Sequence, residues 1–219
     1  MSRRLAPLTL DNLDDLPEPC RGCIVWELDA VGGRRAVEAG DTAFEKEAWL
    51  SQTLLEWGSC GRVAYVDEDP SGYVLYAPPA LVPRAMAFPT SPVSADAVLL
   101  MTMRVEEHRR GGGLARMLVQ AAAKDLTRRG VRAIEAFALA SGEGSAAAAP
   151  TSPGHRSGCL VPAGLLLAVG FKTVRQHKKY PRLRLELKTT LSWREDVEAA
   201  LERILDTVRA PALTSNRSV

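Results

Sequence analysis

Apolar and polar residues alternate along the chain in patterns that each predict an element. Val98-Leu99-Leu100-Met101-Thr102-Met103-Arg104-Val105 is a nearly unbroken apolar run, as expected of a strand covered on both faces. Further on, Leu114, Met117, Leu118, Ala121, Ala122 and Leu126 recur at helical spacing and predict an amphipathic helix. Gly130 stops that helix behind Arg128 and Arg129, two cations suited to a helix C-terminus. A second apolar run, Val131 to Leu139, follows directly. The centre of the chain therefore reads as strand, Gly-rich turn, helix, strand.

The flanking patterns fill in the rest. Arg3 to Leu8 reads as a short first strand, Thr9 to Leu16 as one or two helical turns, and Pro17 and Pro19 end them. Ala30 to Gly40 is polar and glycine-containing and reads as a linker. Thr42 and Glu45 have capping-box spacing and predict a helix to about Trp57, with Phe44, Trp49, Leu50, Leu54 and Trp57 on its apolar side. Gly61 to Asp67 and Gly72 to Ala77 alternate across Glu68-Asp69-Pro70-Ser71 as a β-hairpin. Residues 78–95 form a stiff connection carrying Pro78, Pro79, Pro83, Pro89 and Pro92, a length that is often functional and that suits a pocket wall.

Residues 141–158 are a low-complexity Ser/Gly/Ala/Pro loop, expected to be mobile. Leu160 to Val169 reads as a short apolar helix ended by Gly170, with strands at Phe171 to His177 and Arg182 to Lys188. Ser192 and Glu195 cap a final helix, residues 190–209, and residues 210–219 read as a disordered tail. Residues 1–189 are expected to form one domain, with a core over 61–189.

Composition narrows the function classes. With 219 residues, 46% hydrophobic and 25% charged, the chain suits a globular α/β domain with a proper core. A net charge of +2 gives no nucleic-acid surface and no polybasic membrane anchor. No apolar run nears the roughly 20 residues of a membrane span, and the N-terminus has no signal-like core, so a cytoplasmic location is expected. Cys20, Cys23, Cys60 and Cys159 are then expected to be reduced or metal-bound. Cys20-Arg21-Gly22-Cys23 has the spacing of half a zinc site and of a redox pair, and also suits packing as small buried hydrophobes.

The turn between the first core strand and its helix carries the clearest chemistry. Gly111, Gly112 and Gly113 let backbone approach a ligand closely, and the free N–H groups of the following helical turn converge on one spot. His108, Arg109 and Arg110 stand beside it, and the natural guest is a pyrophosphate. No Gly-Lys-Ser/Thr follows, so this is not a Walker loop, and G-x-G-x-x-G is not matched.

Arg110, Gly113 and Ala115 match R-x-x-G-x-A, and in this strand-turn-helix-strand setting the stretch resembles motif A of the GNAT superfamily of N-acetyltransferases. The resemblance extends over about residues 61–189. Cys20 and Cys23 followed by Trp26-Glu27 are similar to a bacterial branch of that superfamily with no assigned substrate. It implies a mixed, mostly antiparallel α/β (α+β) sheet flanked by helices, here with an extra C-terminal helix.

The resemblance also implies acetyl-CoA as acyl donor, held by Met103, Arg104 and Val105 at the strand end and by Arg110, Gly111, Gly112, Gly113, Leu114 and Ala115 in the turn. The acceptor would be an amine-bearing small molecule or a protein amino group, attacking directly, with a homodimer as one assembly. Val105 would offer its N–H to the thioester carbonyl. The alternative is a GNAT-like protein that binds acyl-CoA without transferring.

The proton carriers are less regular. Glu135 is the acid inside the apolar strand Val131 to Leu139 and must be paired, protonated or functional; it is the candidate base, with Glu27, Glu106 and Asp96 behind it. Many superfamily members carry a tyrosine general acid four residues before Gly170, where this chain has Leu166. Cys159, seven residues earlier, is the substitute candidate acid. Trp26, Trp49 and Trp57 either pack in the core or touch the acceptor. No metal ligand set is expected.

Overall fold

The computed structural model describes residues 2–140 and 159–187, so the low-complexity loop, the final helix and the tail lie outside the described residues. The strands are β1 (Arg3–Pro7), β2 (Gly61–Val66), β3 (Asp69–Ala77), β4 (Ala97–Val105), β5 (Ala133–Leu139), β6 (Val161–Pro162), β7 (Lys172–Arg175) and β8 (Arg182–Glu186). The helices are α1 (Glu18–Arg21), α2 (Ala30–Ala39), α3 (Thr42–Glu56), α4 (Leu114–Arg128) and α5 (Ala163–Ala168). One sheet runs β1-β2-β3-β4-β5-β8-β7, with β6 added alongside β5. Pairing is antiparallel except for β4–β5 and β5–β6. This is the mixed, mostly antiparallel sheet that the resemblance implies.

Both faces of the sheet are covered, which is why β4 is apolar at nearly every position. On one face Leu100, Ile134 and Ala136 meet Leu118, Ala122 and Leu126 of α4. On the other, Leu99, Met101 and Phe137 meet Trp26, Trp49 and Leu50. Leu118 is wholly buried, and truncating such a leucine to alanine costs about 2–5 kcal/mol.

Several expectations are corrected. Residues 30–39 are a helix and not a linker: Asp29 accepts hydrogen bonds from Val31 N–H and Gly32 N–H, and Gly40 ends the helix at φ 79°. The two caps outweigh the helix-weakening Gly32 and Gly33. The capping box at Thr42 does not form. Gly40 hands the chain straight into α3, Asp41 N–H bonds back to Ala36 O, and no side chain caps the helix. Phe44 is exposed, whereas Lys46 on the same helix is buried. The hairpin turn is the tight Asp67-Glu68 pair, both at positive φ, so Asp69 and Pro70 belong to β3. The last segments shorten to β6-α5 and β7 because Pro162 starts α5 and Gly170 ends it.

Candidate functional site

β4 and β5 pair only through Ala97–Ala133, Val98–Ile134 and Leu99–Glu135, and beyond that they diverge. β5 instead takes β6 as its neighbour at Ala138 and Leu139. A bulge at Met101 on β4, where Leu75 faces Thr102 but Tyr76 faces Leu100, adds to the divergence. Glu106 N–H bonds Ser71 O across β3 at 3.0 Å. Strand alternation then turns the Arg104 amide toward β3 and the Met103 and Val105 amides toward the opening. Of the three expected strand positions, two thus present backbone donors to the gap and Arg104 does not.

The chain leaves β4 through a short turn, residues 107–109, and reaches Gly111 at φ 78° and Gly113 at φ 81°. Those angles lie in the left-handed region that favours glycine, and added Cβ atoms there would meet only open space. Leu114, buried beneath the turn, anchors α4; half-buried Ala115 follows it. Met117 N–H makes the first helical bond, to Gly113 O, and no side chain caps the amides ahead of it. Arg3 reaches from β1 to bond Gly112 O at 2.8 Å and fixes the turn. Arg109 lies 3.7 Å from Asp69, yet its buried Nε has no partner among the described residues. Arg110 is half-exposed, 3.6 Å from Glu107. Unclaimed amides, a helix N-terminus and an orphaned guanidinium nitrogen fit a phosphate-bearing guest.

The acetyltransferase (GNAT) family model matches residues 32–149, over half of the 219-residue chain. The chain belongs to the GNAT acetyltransferase family. Solved structures agree on the fold. PaiA N-acetyltransferase from Thermoplasma acidophilum, in complex with coenzyme A, is similar at 10% identity and TM-score 0.53, covering 85% of this chain and 99% of its own. An N-acetyltransferase from Staphylococcus aureus Mu50 is similar at 16% identity and TM-score 0.53, over 85% and 99%. The loading GNATL domain of CurA from Lyngbya majuscula is similar at 11% identity and TM-score 0.52, over 86% and 100%. No curated protein sequence matches the chain.

Beside the strand end of this GNAT domain lies a polar cleft of about 310 Å³, lined by Asp14, Asp15, Arg21, Gly72 and Glu106 among others. Asp15 accepts the Tyr65 hydroxyl, and Arg21 bonds Leu16 O. Glu106, which lines the cleft, directly follows Val105 at the end of β4. Sequence reasoning missed the cleft because its walls come from residues 14–21, β3 and the end of β4.

Of the candidate proton carriers, Glu106 lines this cleft, whereas Glu135 and Cys159 do not. Glu135 is wholly buried on β5, opposite Arg184 of β8. Its Oε1 is 3.1 Å from Arg184 Nη1, its Oε2 accepts from Ser94 N–H at 3.1 Å, and Arg182 Nη1 lies 3.4 Å away. Cys159 precedes β6, and its Sγ is 2.9 Å from Cys23 Sγ. Cys20 lies against Tyr73, and the sulfur that Cys23 meets is that of Cys159. Among the described residues no cluster of His, Cys, Asp or Glu could hold a metal. Leu166 is buried against the α4-side core.

The tryptophans pack. Trp26 stacks on Phe88 and Phe137, Trp49 Nε1 bonds Leu81 O at 2.7 Å, and Arg129 covers the Trp57 ring at 3.6 Å. Beneath Trp26, Glu27 and Lys46 form a buried ion pair that no local pattern announces. No helix among the described residues is long and apolar enough to cross a membrane.

Proposed function

We propose that the chain transfers the acetyl group of acetyl-CoA to a primary amine that arrives positively charged, by direct attack of the neutral amine on the thioester. The observation that carries this reading is the opening of β4 from β5 just ahead of the uncapped Gly113 turn. It supports a reading in which backbone donors and a phosphate cradle serve one extended donor.

Acetyl-CoA supplies the activated acyl group. The amides of Gly111 to Ala115, with Arg109, hold its pyrophosphate. The Val105 amide faces the thioester oxygen and stabilises the negative charge that grows there, as a preorganised dipole costs nothing to reorient. Met103 N–H holds the acyl-bearing arm in line. The acid-lined cleft selects the acceptor: Asp14 and Glu106 make no ion pair among the described residues, and their field favours a cationic amine. Glu106 is the base, since it stands next to Val105 and opens onto the cleft. Glu135 is engaged by Arg184 and Ser94 and holds the strands in position.

Titration calorimetry with acetyl-CoA and CoA tests the donor side, alongside Gly113→Glu. Expected is binding by the wild type and its loss in the variant, with the melting transition retained. A screen of cationic amines then tests transfer, with Glu106→Gln lowering kcat at least tenfold. No binding to folded wild type overturns the reading.

A second reading, acyl-CoA binding without transfer, draws on Leu166, which leaves α5 with no hydroxyl at the expected acid position. Binding without transfer to any amine in the screen would select it.

A further inference from the structure

We propose that Cys23 and Cys159 form a peroxide-responsive dithiol, whose closure to a disulfide fastens one wall of the acceptor cleft and stops acetyl transfer. The consequence for transfer rests on the function proposed above; the dithiol chemistry stands without it.

The geometry is built from both ends of the chain. The two sulfurs are 136 residues apart in sequence and 2.9 Å apart in space. A disulfide bond is about 2 Å long, so closure asks for a shift of about 1 Å. Each cysteine is held by its own carbonyl: Lys46 Nζ bonds Cys23 O at 3.1 Å, and Trp26 Nε1 bonds Cys159 O at 3.4 Å. Both side chains are half-buried, open to a small oxidant. Cys20 and Cys60 are buried and lie outside the pair.

The chemistry separates the two thiols. The hydrogen bond from Cys159 lowers Cys23 to about 7, against the opposing effect of burial. The same hydrogen bond, with burial, raises Cys159. Cys23 is therefore the attacking thiolate and Cys159 the resolving thiol.

A hydroperoxide is the oxidant. The Cys23 thiolate attacks one peroxide oxygen; the S–O bond forms, the O–O bond breaks, and hydroxide leaves and becomes water. Cys159 sulfur then attacks the Cys23 sulfenic sulfur; the S–S bond forms, the S–O bond breaks, and the departing hydroxide takes the Cys159 proton as water. Two thiols lose two electrons and two protons while one hydrogen peroxide becomes two waters. A dithiol reductant reverses the step.

The link to the cleft is short. Leu16, Pro17 and Arg21 line it, and Cys23 is two residues beyond Arg21. Closure ties this wall to Cys159, two residues ahead of β6, which pairs with β5 on the far side of the opening. The turn ahead of α4 shares no residue with it, so donor binding persists.

The test treats full-length protein with hydrogen peroxide, digests it with trypsin and maps peptides without reduction. Cys20, Cys23 and Cys159 fall in different tryptic peptides, Cys23 in 22–34 and Cys159 in 157–172. Expected is a 22–34 to 157–172 product about 2 Da lighter than the two peptides together, and its loss on dithiothreitol treatment. Cys20→Ser should keep it, while Cys23→Ser and Cys159→Ser abolish it. Oxidised wild type should bind acetyl-CoA as reduced protein does and transfer acetyl at least tenfold more slowly. A Cys20–Cys23 link, or no link, overturns the dithiol; equal transfer by both forms overturns the switch. Absence of transfer in the reduced protein would refute the transferase reading and with it the switch, while the peptide map would still judge the dithiol.

Discussion

Glu135 and Arg184 face each other across β5 and β8, with Glu135 Oε1 3.1 Å from Arg184 Nη1. Arg184 extends the contact to Asp96, both of whose oxygens lie 2.9 Å from its nitrogens. The carboxylate thereby joins β5 to β8 and to the segment leading into β4, at the last point where β4 and β5 remain paired. Glu135→Gln leaves Arg184 and Arg182 facing a buried neutral amide and should destabilise by about 3 kcal/mol, as removal of one partner from a buried pair does. Urea unfolding checks this, through a lower midpoint at unchanged slope. A midpoint unaltered by the substitution would show that the pair contributes nothing to stability.

Glu27 and Lys46 make a second prediction with a different sign structure. Their side chains are 1% and 4% exposed, and Lys46 also bonds Cys23 O at 3.1 Å. Burial disfavours the ammonium and the Glu27 charge opposes that, with the net effect a raised Lys46. Glu27→Leu alone should cost about 3–5 kcal/mol by stranding the ammonium. Glu27→Leu with Lys46→Met should recover most of the loss. A double variant as unstable as the single one would refute the charge argument and point to shape.

Two glycines should respond oppositely to the same change. A Cβ at Gly72 would meet Arg104 O at 2.8 Å, so Gly72→Ala must push β3 from β4 just where the Val105 amide is set. We expect a stability loss of about 1–3 kcal/mol and a fall in kcat for transfer. Gly33, inside α2, has nothing within 4 Å of such a Cβ, and Gly33→Ala should stabilise by about 0.5–1 kcal/mol. Thermal melts of the two variants give the comparison; a shift in the same direction for both would contradict it.

The reactivity of Cys23 should follow pH in a defined direction. Its thiol is lowered to about 7 by the Cys159 hydrogen bond, while burial and Glu27 act the other way and Lys46 assists. Lowering favours the thiolate, so alkylation by iodoacetamide should rise through pH 7 and level off above it. Cys159→Ala removes the largest cause and should move the midpoint up toward 9.0, the ordinary value. Peptide-resolved alkylation rates between pH 5 and 10 read this directly; an unmoved midpoint in the variant would assign the lowering to another group.

What could be read in advance was local. Val98 to Leu139 shows strand, turn, helix and strand because each is written in a few consecutive residues: a two-sided apolar run, glycines where positive φ is needed, and a stripe at helical spacing. α2 escaped because Gly32 and Gly33 speak against a helix more loudly than Asp29 and Gly40 speak for it. Glu135 was recognisable as a buried acid with a debt of charge, and alternating Arg182 and Arg184 on the last strand were its available partners.

The sequence by itself determined the sheet's central unit, the glycine turn and the family resemblance, since these rest on backbone preference and hydrophobic period within short windows. Tertiary structure alone decided which thiol Cys23 meets, which lysine Glu27 keeps, and that Asp14, Arg21 and Glu106 share one cleft. Those are contacts between distant segments. Their geometry is set by how the β4–β5 opening, the Trp26 stack and the first fifty residues close over one face of the sheet, and no spacing along the chain encodes that closure.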